Sequence, residues 1–205
     1  MLFDSRTVVR QIAELQTEAV RRWHQQELDN PYTGLLAVVC RQHQYNYLLW
    51  HEEDIARSPH VSDAKIAGVK RAIDGYNQQR NDWIERIDET LLQMLTVGGI
   101  LPNAEAVLNT ETPGSAMDRI SIMALRIYHF EEQLERNDVD AEHVTMVREK
   151  LRRCCQQRED LTESLGDLLH DIFTGRKLLK VYRQMKMYND PALNPYLYQA
   201  QKLAG

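Results

Sequence analysis

Apolar residues recur at three- and four-residue spacing along almost the whole chain, and no run of strict apolar–polar alternation between turn residues competes with them. That period belongs to helices with one buried face, so the sequence predicts an all-α protein. The stop signals divide it. A first helix is expected over about residues 4–28, with Val8, Ile12, Leu15, Ala19 and Trp23 on one face, ended by Asn30-Pro31. A second is expected over about residues 32–57, ended by Ser58-Pro59, and a third from Ser62 or Asp63 to about residue 96, before Gly98-Gly99. Residues 97–112 read as a loop with a helical turn near 103–108. Thr112 then caps a fourth helix whose first position is Pro113, where a missing N–H costs least. That helix is expected to reach about residue 137, and a fifth covers about residues 140–174. Gly175 interrupts it, a basic helix follows to about residue 188, and Pro191 and Pro195 mark an irregular tail.

With 205 residues the chain suffices for one sizeable core and does not require two. The expected architecture is therefore a single domain, residues 1–205, built as a bundle of about five long, mostly antiparallel helices. The longest apolar run, Leu35 to Cys40, is far below the roughly 20 residues that span a bilayer, so no transmembrane segment is expected. The opening Met1-Leu2-Phe3-Asp4 lacks the apolar stretch of a secretion signal. Cys40, Cys154 and Cys155 are odd in number and two are adjacent, which fits a reducing compartment, so a cytoplasmic location is expected.

Polar residues stand where apolar ones belong. The third helix has the stripe Ile66, Val69, Ile73, Tyr76, Arg80, Trp83, Ile87, with a guanidinium at its centre. Lys70, Asp74, Asn77, Asn81 and Asp88 share a narrow arc beside it. The second helix aligns Leu35, Val39, Gln42, Asn46, Leu49 and Glu53, and the fifth puts Arg158 into an apolar seam that includes Cys154. A buried guanidinium needs a carboxylate, and Glu53 is the one best aimed at Arg80 or Arg158. Two readings follow. One is a buried polar network that sets helix register. The other is a polar cleft lined by Asn46, Glu53, Lys70, Asp74, Asn77, Arg80 and Asn81 that takes an anionic or hydroxyl-rich ligand.

Three further stretches carry chemistry. Leu108-Asn109-Thr110-Glu111-Thr112-Pro113-Gly114-Ser115, leading to Asp118-Arg119, puts hydroxyls and a glycine at a helix N-terminus. There Thr112 and Ser115 either hold a phosphate with Arg119 or merely cap the helix. His51 and Asp54 lie three apart, as do His129 and Glu132, the reverse of the Glu-x-x-His order of di-iron bundles. No further inward Glu pair accompanies them, so neither a metal nor any other cofactor is assigned. Residues 176–186 hold five cations and no acid among apolar residues, so residues 175–205 carry +5 and residues 1–174 carry −10 of the net −5. Such an arm suits an anionic membrane, an acidic partner or self-docking on the acidic body, whereas five cations are few for a nucleic-acid binder.

The chain resembles the bacterial helical family known as domain of unknown function 4254. The resemblance rests on Trp50-His51-Glu52-Glu53-Asp54-Ile55-Ala56-Arg57, on residues 70–82 (KRAIDGYNQQRND), on Leu108 to Ser115 with Asp118-Arg119, and on Lys186-Met187-Tyr188-Asn189-Asp190-Pro191. It implies a single helical domain in a bacterial cytoplasm, working near the glycosyltransferases of cell-envelope polysaccharide synthesis, and brings no established activity. The expected function is binding of an anionic, sugar- or phosphate-containing ligand or of a partner enzyme. The alternatives are a transferase or hydrolase with Glu53 or Asp74 as base and Arg80 with Arg119 as anion clamp, or a structural or adaptor homodimer.

Overall fold

The structure, a computed structural model, describes residues 3–187 and 190–204, with side chains up to residue 199. Tyr188 and Asn189, the expected boundary between arm and tail, lie outside them, as do Met1, Leu2 and Gly205. The order is α1 (Ser5–Trp23), α2 (Gly34–Ala56), α3 (Asp63–Val97), β1 (Val107–Leu108), α4 (Pro113–Leu134), α5 (Ala141–Phe173), β2 (Lys177–Leu178) and α6 (Pro195–Ala204). Four of the helices begin at side chains that accept a hydrogen bond from the first turn: Asp4 from Thr7, Ser62 from Lys65, Thr112 from Ser115 and Asp140 from His143. At the other ends, Gly99 (φ +63°) and Gly175 (φ +75°) close α3 and α5. The N–H of Ile100 bonds to the carbonyl of Leu95 and that of Arg176 to the carbonyl of Asp171, the six-to-one bond of a Schellman motif.

The long helices share a central core, with smaller apolar clusters beside it. Val9, Ile12, Val39, Ile87, Leu91, Met117, Ile120, Leu165 and Leu169 form a single buried cluster drawn from α1 to α5. No helix among the described residues is long and apolar enough to cross a membrane. Direction can be read from cross-helix partners. Tyr45 lies by Tyr76 while Leu49 packs with Val69 and Ile73, so α2 and α3 are antiparallel. Arg80 meets Asp118 and Asp88 meets Gly114, so α3 and α4 are antiparallel too. The exception is the first pair. Gln16 meets His43, Trp23 meets Tyr47 and His24 meets His51, so α1 and α2 run the same way.

That parallel pairing explains why α1 stops at Trp23 rather than near residue 28. The chain turns back, and the Asp29 carboxylate accepts hydrogen bonds from Arg22 Nε (2.8 Å) and Trp23 Nε1 (3.0 Å). Residues 24–33 then return alongside α1, where the Asp29 carbonyl accepts from Gln44.

The basic segment 176–186 is not the helix its composition suggests. Lys177 and Leu178 pair in parallel with Val107 and Leu108, and the Asn103 N–H bonds to the Gly175 carbonyl. Beyond them the chain runs extended over α3. There Arg183 pairs with Glu85 (2.8 Å) and with Glu89, and the Gln184 N–H donates to Glu85 (2.8 Å). Distant partners thus take the backbone groups of Arg176, Lys177, Leu178 and Gln184 that a helix would pair locally. The arm is docked on the acidic body. In the 97–112 loop, a turn closes at Asn103 and Ala106 and Val107 is already extended. The tail, expected to be irregular, carries α6.

Candidate functional site

Gln42 and Asn46 of α2 and Arg80 of α3 do turn into the interior, and α4 meets them. Asp118 is 5% exposed, and its Oδ1 accepts from Gln42 Nε2 (2.6 Å), Asn46 Nδ2 (2.9 Å) and Arg80 Nε (2.7 Å), while Arg80 Nη2 reaches Oδ2. The carboxylate of Asp118 raises the pKa of the Arg80 guanidinium above its ordinary value. Asn46 also donates to Ser121 Oγ (2.8 Å). That hydroxyl is 2.6 Å from His43 Nδ1, while His43 Nε2 is 2.9 Å from the Gln16 carbonyl. A carbonyl only accepts, so the His43 proton sits on Nε2 and the Ser121 hydroxyl donates to Nδ1. Burial holds that ring neutral, pushing its pKa down to about 3. Ser121 and His43 are both fully buried, so this hydroxyl–imidazole pair meets no substrate. It joins α1, α2 and α4 as the Arg80–Asp118 pair joins α3 to α4.

Above this layer a cleft of about 470 Å³ opens between α2, α3 and α4, a size suited to a small ligand. Asn46, Glu53, Asn77 and Arg80 line it, together with Trp50, Asp54, Arg57 and Arg126. The expected Glu53–Arg80 or Glu53–Arg158 pairing is not made. Glu53 bonds to Arg57, one turn on along the same helix, at 2.5 Å, whereas Arg158 donates to Thr17 Oγ1 at 2.8 Å. The reason is reach: Asp118 faces Arg80 from the adjoining helix and is itself buried. Arg126 is exposed and enters no hydrogen bond or ion pair among the described residues. Among the described residues it is the unpaired cation of the cleft.

The other expected residues lie elsewhere. Lys70 and Asp74 are exposed and pair with each other, and Asn81 is half-buried outside the cleft. Arg119 pairs with Glu111 at 3.1 Å on the surface. Thr112 and Ser115 cap α4, and the N-terminal N–H of Gly114 donates to Asp88 Oδ1 at 2.7 Å. The anion at this helix N-terminus is the protein's own carboxylate, 2% exposed, whose pKa burial raises to about 6.

The histidine–acid pairs are also rearranged. His129 Nδ1 lies 2.6 Å from Glu132, and the ring stacks on Trp50. His51 and His129 gather with His24, one ring nitrogen of each lying within 4.8 Å of the others. Burial, and next the neighbouring His24 and His129, lower the His51 pKa. His24, His43, Ser121 and Arg126 escaped the sequence reading. For His43 a signal existed: Leu35 to Cys40 is apolar all round, as in a helix enclosed on every side, where off-stripe residues are buried too.

The sequence model of a family described as "Protein of unknown function (DUF4254)" matches residues 36–181, from the first turn of α2 to just past β2. No curated protein and no solved structure matches the chain. With the greater part of its length matched, the chain belongs to the DUF4254 family.

Proposed function

We propose that the α2–α3–α4 cleft binds a small anionic ligand bearing phosphate or carboxylate together with hydroxyls, of the sugar-phosphate kind, in the service of cell-envelope polysaccharide synthesis. The observation that carries this is Arg126, a guanidinium unpaired among the described residues, at a cleft that also offers the Asn46 and Asn77 amides and a Trp50 wall on which a sugar ring can rest. Below it, Arg80 is fixed by two contacts to Asp118, so the floor is already ordered before a ligand arrives. Binding is favoured over catalysis because the two carboxylates considered as bases do not face one point. Glu53 is held by Arg57 at the cleft, and Asp74 is held by Lys70 outside it.

The test is a thermal-shift and calorimetric series with inorganic phosphate, hexose phosphates and nucleotide sugars. Saturable stabilisation by one class, weakened about tenfold or more in Arg126→Ala, is expected; one lost charged contact of about 1.4 kcal/mol has that effect. Absence of saturable binding by any of them, or equal binding by the variant, defeats the reading.

A further inference from the structure

His24 at the end of α1, His51 in α2 and His129 in α4 present three imidazoles to one point, with a ring nitrogen of each within 4.8 Å of the others. In two rings the outer nitrogen is already bonded: Nδ1 of His24 lies 2.7 Å from the Val20 carbonyl and Nδ1 of His129 lies 2.6 Å from the Glu132 carboxylate. Both partners are acceptors, so both Nδ1 atoms carry the proton and both Nε2 atoms carry a lone pair. The Nε2 atoms of His24, His51 and His129 are all buried and all lack a hydrogen-bond partner. Two buried lone pairs and the buried, unpartnered Nε2 of His51, gathered in one cluster, are costly to leave without partners. A cation there satisfies all of them at once.

We propose that His24, His51 and His129 bind one divalent transition-metal ion of the zinc class through their Nε2 atoms. Imidazole is the ligand such ions prefer, and the bonds from Nδ1 to a backbone carbonyl and to a carboxylate are the outer-shell contacts that orient metal-binding histidines. Tyr128, stacked on His24 at 4.0 Å, and Trp50, stacked on His129 at 4.7 Å, wall the site with apolar surface. Zn–N bonds of about 2.0–2.1 Å in tetrahedral geometry set the nitrogens roughly 3.4 Å apart, so small ring rotations close the group onto the ion.

The placement also has a register. His43 is bonded to both Gln16 and Ser121, and His24, His51 and His129 each follow one of these three by eight residues. Because α1, α2 and α4 run the same way, eight residues carry each chain about 12 Å along the bundle, and the lower layer holds the upper in level. Among the described residues no fourth histidine, cysteine or carboxylate joins the group, so one coordination position is left for water or a ligand atom. His129 also lines a pocket of about 260 Å³ with Trp50, Asp54 and Arg126, the three residues this pocket shares with the cleft. The metal site stands on the histidines alone and survives if the cleft binds no anion.

The experiment uses tag-free full-length protein with Co²⁺ and Zn²⁺ as the only probes. Expected are one ion per chain after dialysis and the intense visible bands of four-coordinate Co²⁺. His24→Ala, His51→Ala and His129→Ala should each abolish both, and the exposed His60→Ala neither. Glu132→Gln should weaken binding about 10- to 100-fold while leaving stoichiometry intact. In case the alanine variants fail to fold, the wild type is labelled at histidine nitrogen and titrated with one equivalent of Zn²⁺. Three Nε2 resonances of the seven histidines should shift together. Substoichiometric metal in the wild type, undiminished binding in folded histidine variants, or shifts at other rings overturns the proposal.

Discussion

Arg80 of α3 and Asp118 of α4, 38 residues apart in sequence, meet through two parallel N–H to oxygen contacts at the floor of the cleft. Asp118 also takes donors from Gln42 and Asn46 and is almost wholly enclosed, and Arg80 is the cation that meets it there. Removing one member leaves an uncompensated charge. Asp118→Ala is expected to cost about 3–5 kcal/mol in urea unfolding. The double variant Arg80→Met/Asp118→Asn should lose less than the two single variants summed, because neither charge is then left alone. Simple additivity would show the pair to be uncoupled.

The buried His43 ring makes stability depend on acid. Its pKa is about 3 in the folded protein and returns to about 6.5 on unfolding. Between those values the unfolded chain binds the extra proton, so stability falls as pH drops through the window. Of a total on the order of 5 kcal/mol, about 2 should be lost between about pH 7 and about pH 5. His43→Gln keeps a donor for the Gln16 carbonyl and should flatten this part of the profile, as read from denaturant midpoints at the two pH values.

Asp88 works in the opposite sense. Burial raises its pKa to about 6, above the ordinary value of 3.8, so in that range the folded state holds the proton and this group's contribution falls as pH rises. Relative to wild type, Asp88→Asn should gain about 2–3 kcal/mol on going from about pH 4 to about pH 7. Its neighbour gives a steric check. A Cβ at position 114 would stand 2.5 Å from the Ile84 carbonyl oxygen, so Gly114→Ala should destabilise by about 1–3 kcal/mol at any pH, through α3 and α4 being forced apart.

The docked arm should come loose in salt. Arg183 meets Glu85 and Glu89 at the surface, and exposed pairs of this kind are screened by added ions. Raising ionic strength, or introducing Glu85→Gln with Glu89→Gln, should speed tryptic cleavage within residues 178–186 while the α1–α5 body stays intact. Cleavage rates unchanged by either would mean that the parallel pairing at Val107–Leu108 holds the arm alone.

The limits of α2 to α5 and the inward turn of Gln42, Asn46 and Arg80 were legible in the sequence, because caps and a 3.6-residue period are local properties. Which residue answers Arg80 was not. Periodicity gives the direction of a side chain from its own helix, and Glu53 and Asp118 both point inward. Only the placement of α4 against α3 decides between them. The arm was misread for a related reason: residues 176–186 have helical spacing, but Lys177 and Leu178 pair with a strand some 70 residues earlier. His24 had no signal at all, since an eight-residue recurrence across three helices means nothing until those helices are known to be parallel.

That same-direction packing of α1 against α2 also bears on the order of assembly. The α2–α3 and α4–α5 pairs are hairpins with short turns, closed by contacts near in sequence. Apart from those on α2, the partners of α1 are remote: Met117 is 101 residues from Gln16, Glu131 is 110 from Arg21 and Arg158 is 141 from Thr17. Closing such loops delays a contact until the rest of the fold supports it, which makes α1 the last element to dock. Ile12→Val should then speed unfolding and leave the folding rate nearly untouched in stopped-flow chevrons. Slower folding instead would move α1 into the nucleus. With α1 late, the rings of His43 and His129 stay open to water through most of folding, and the chain closes over both in a single final step.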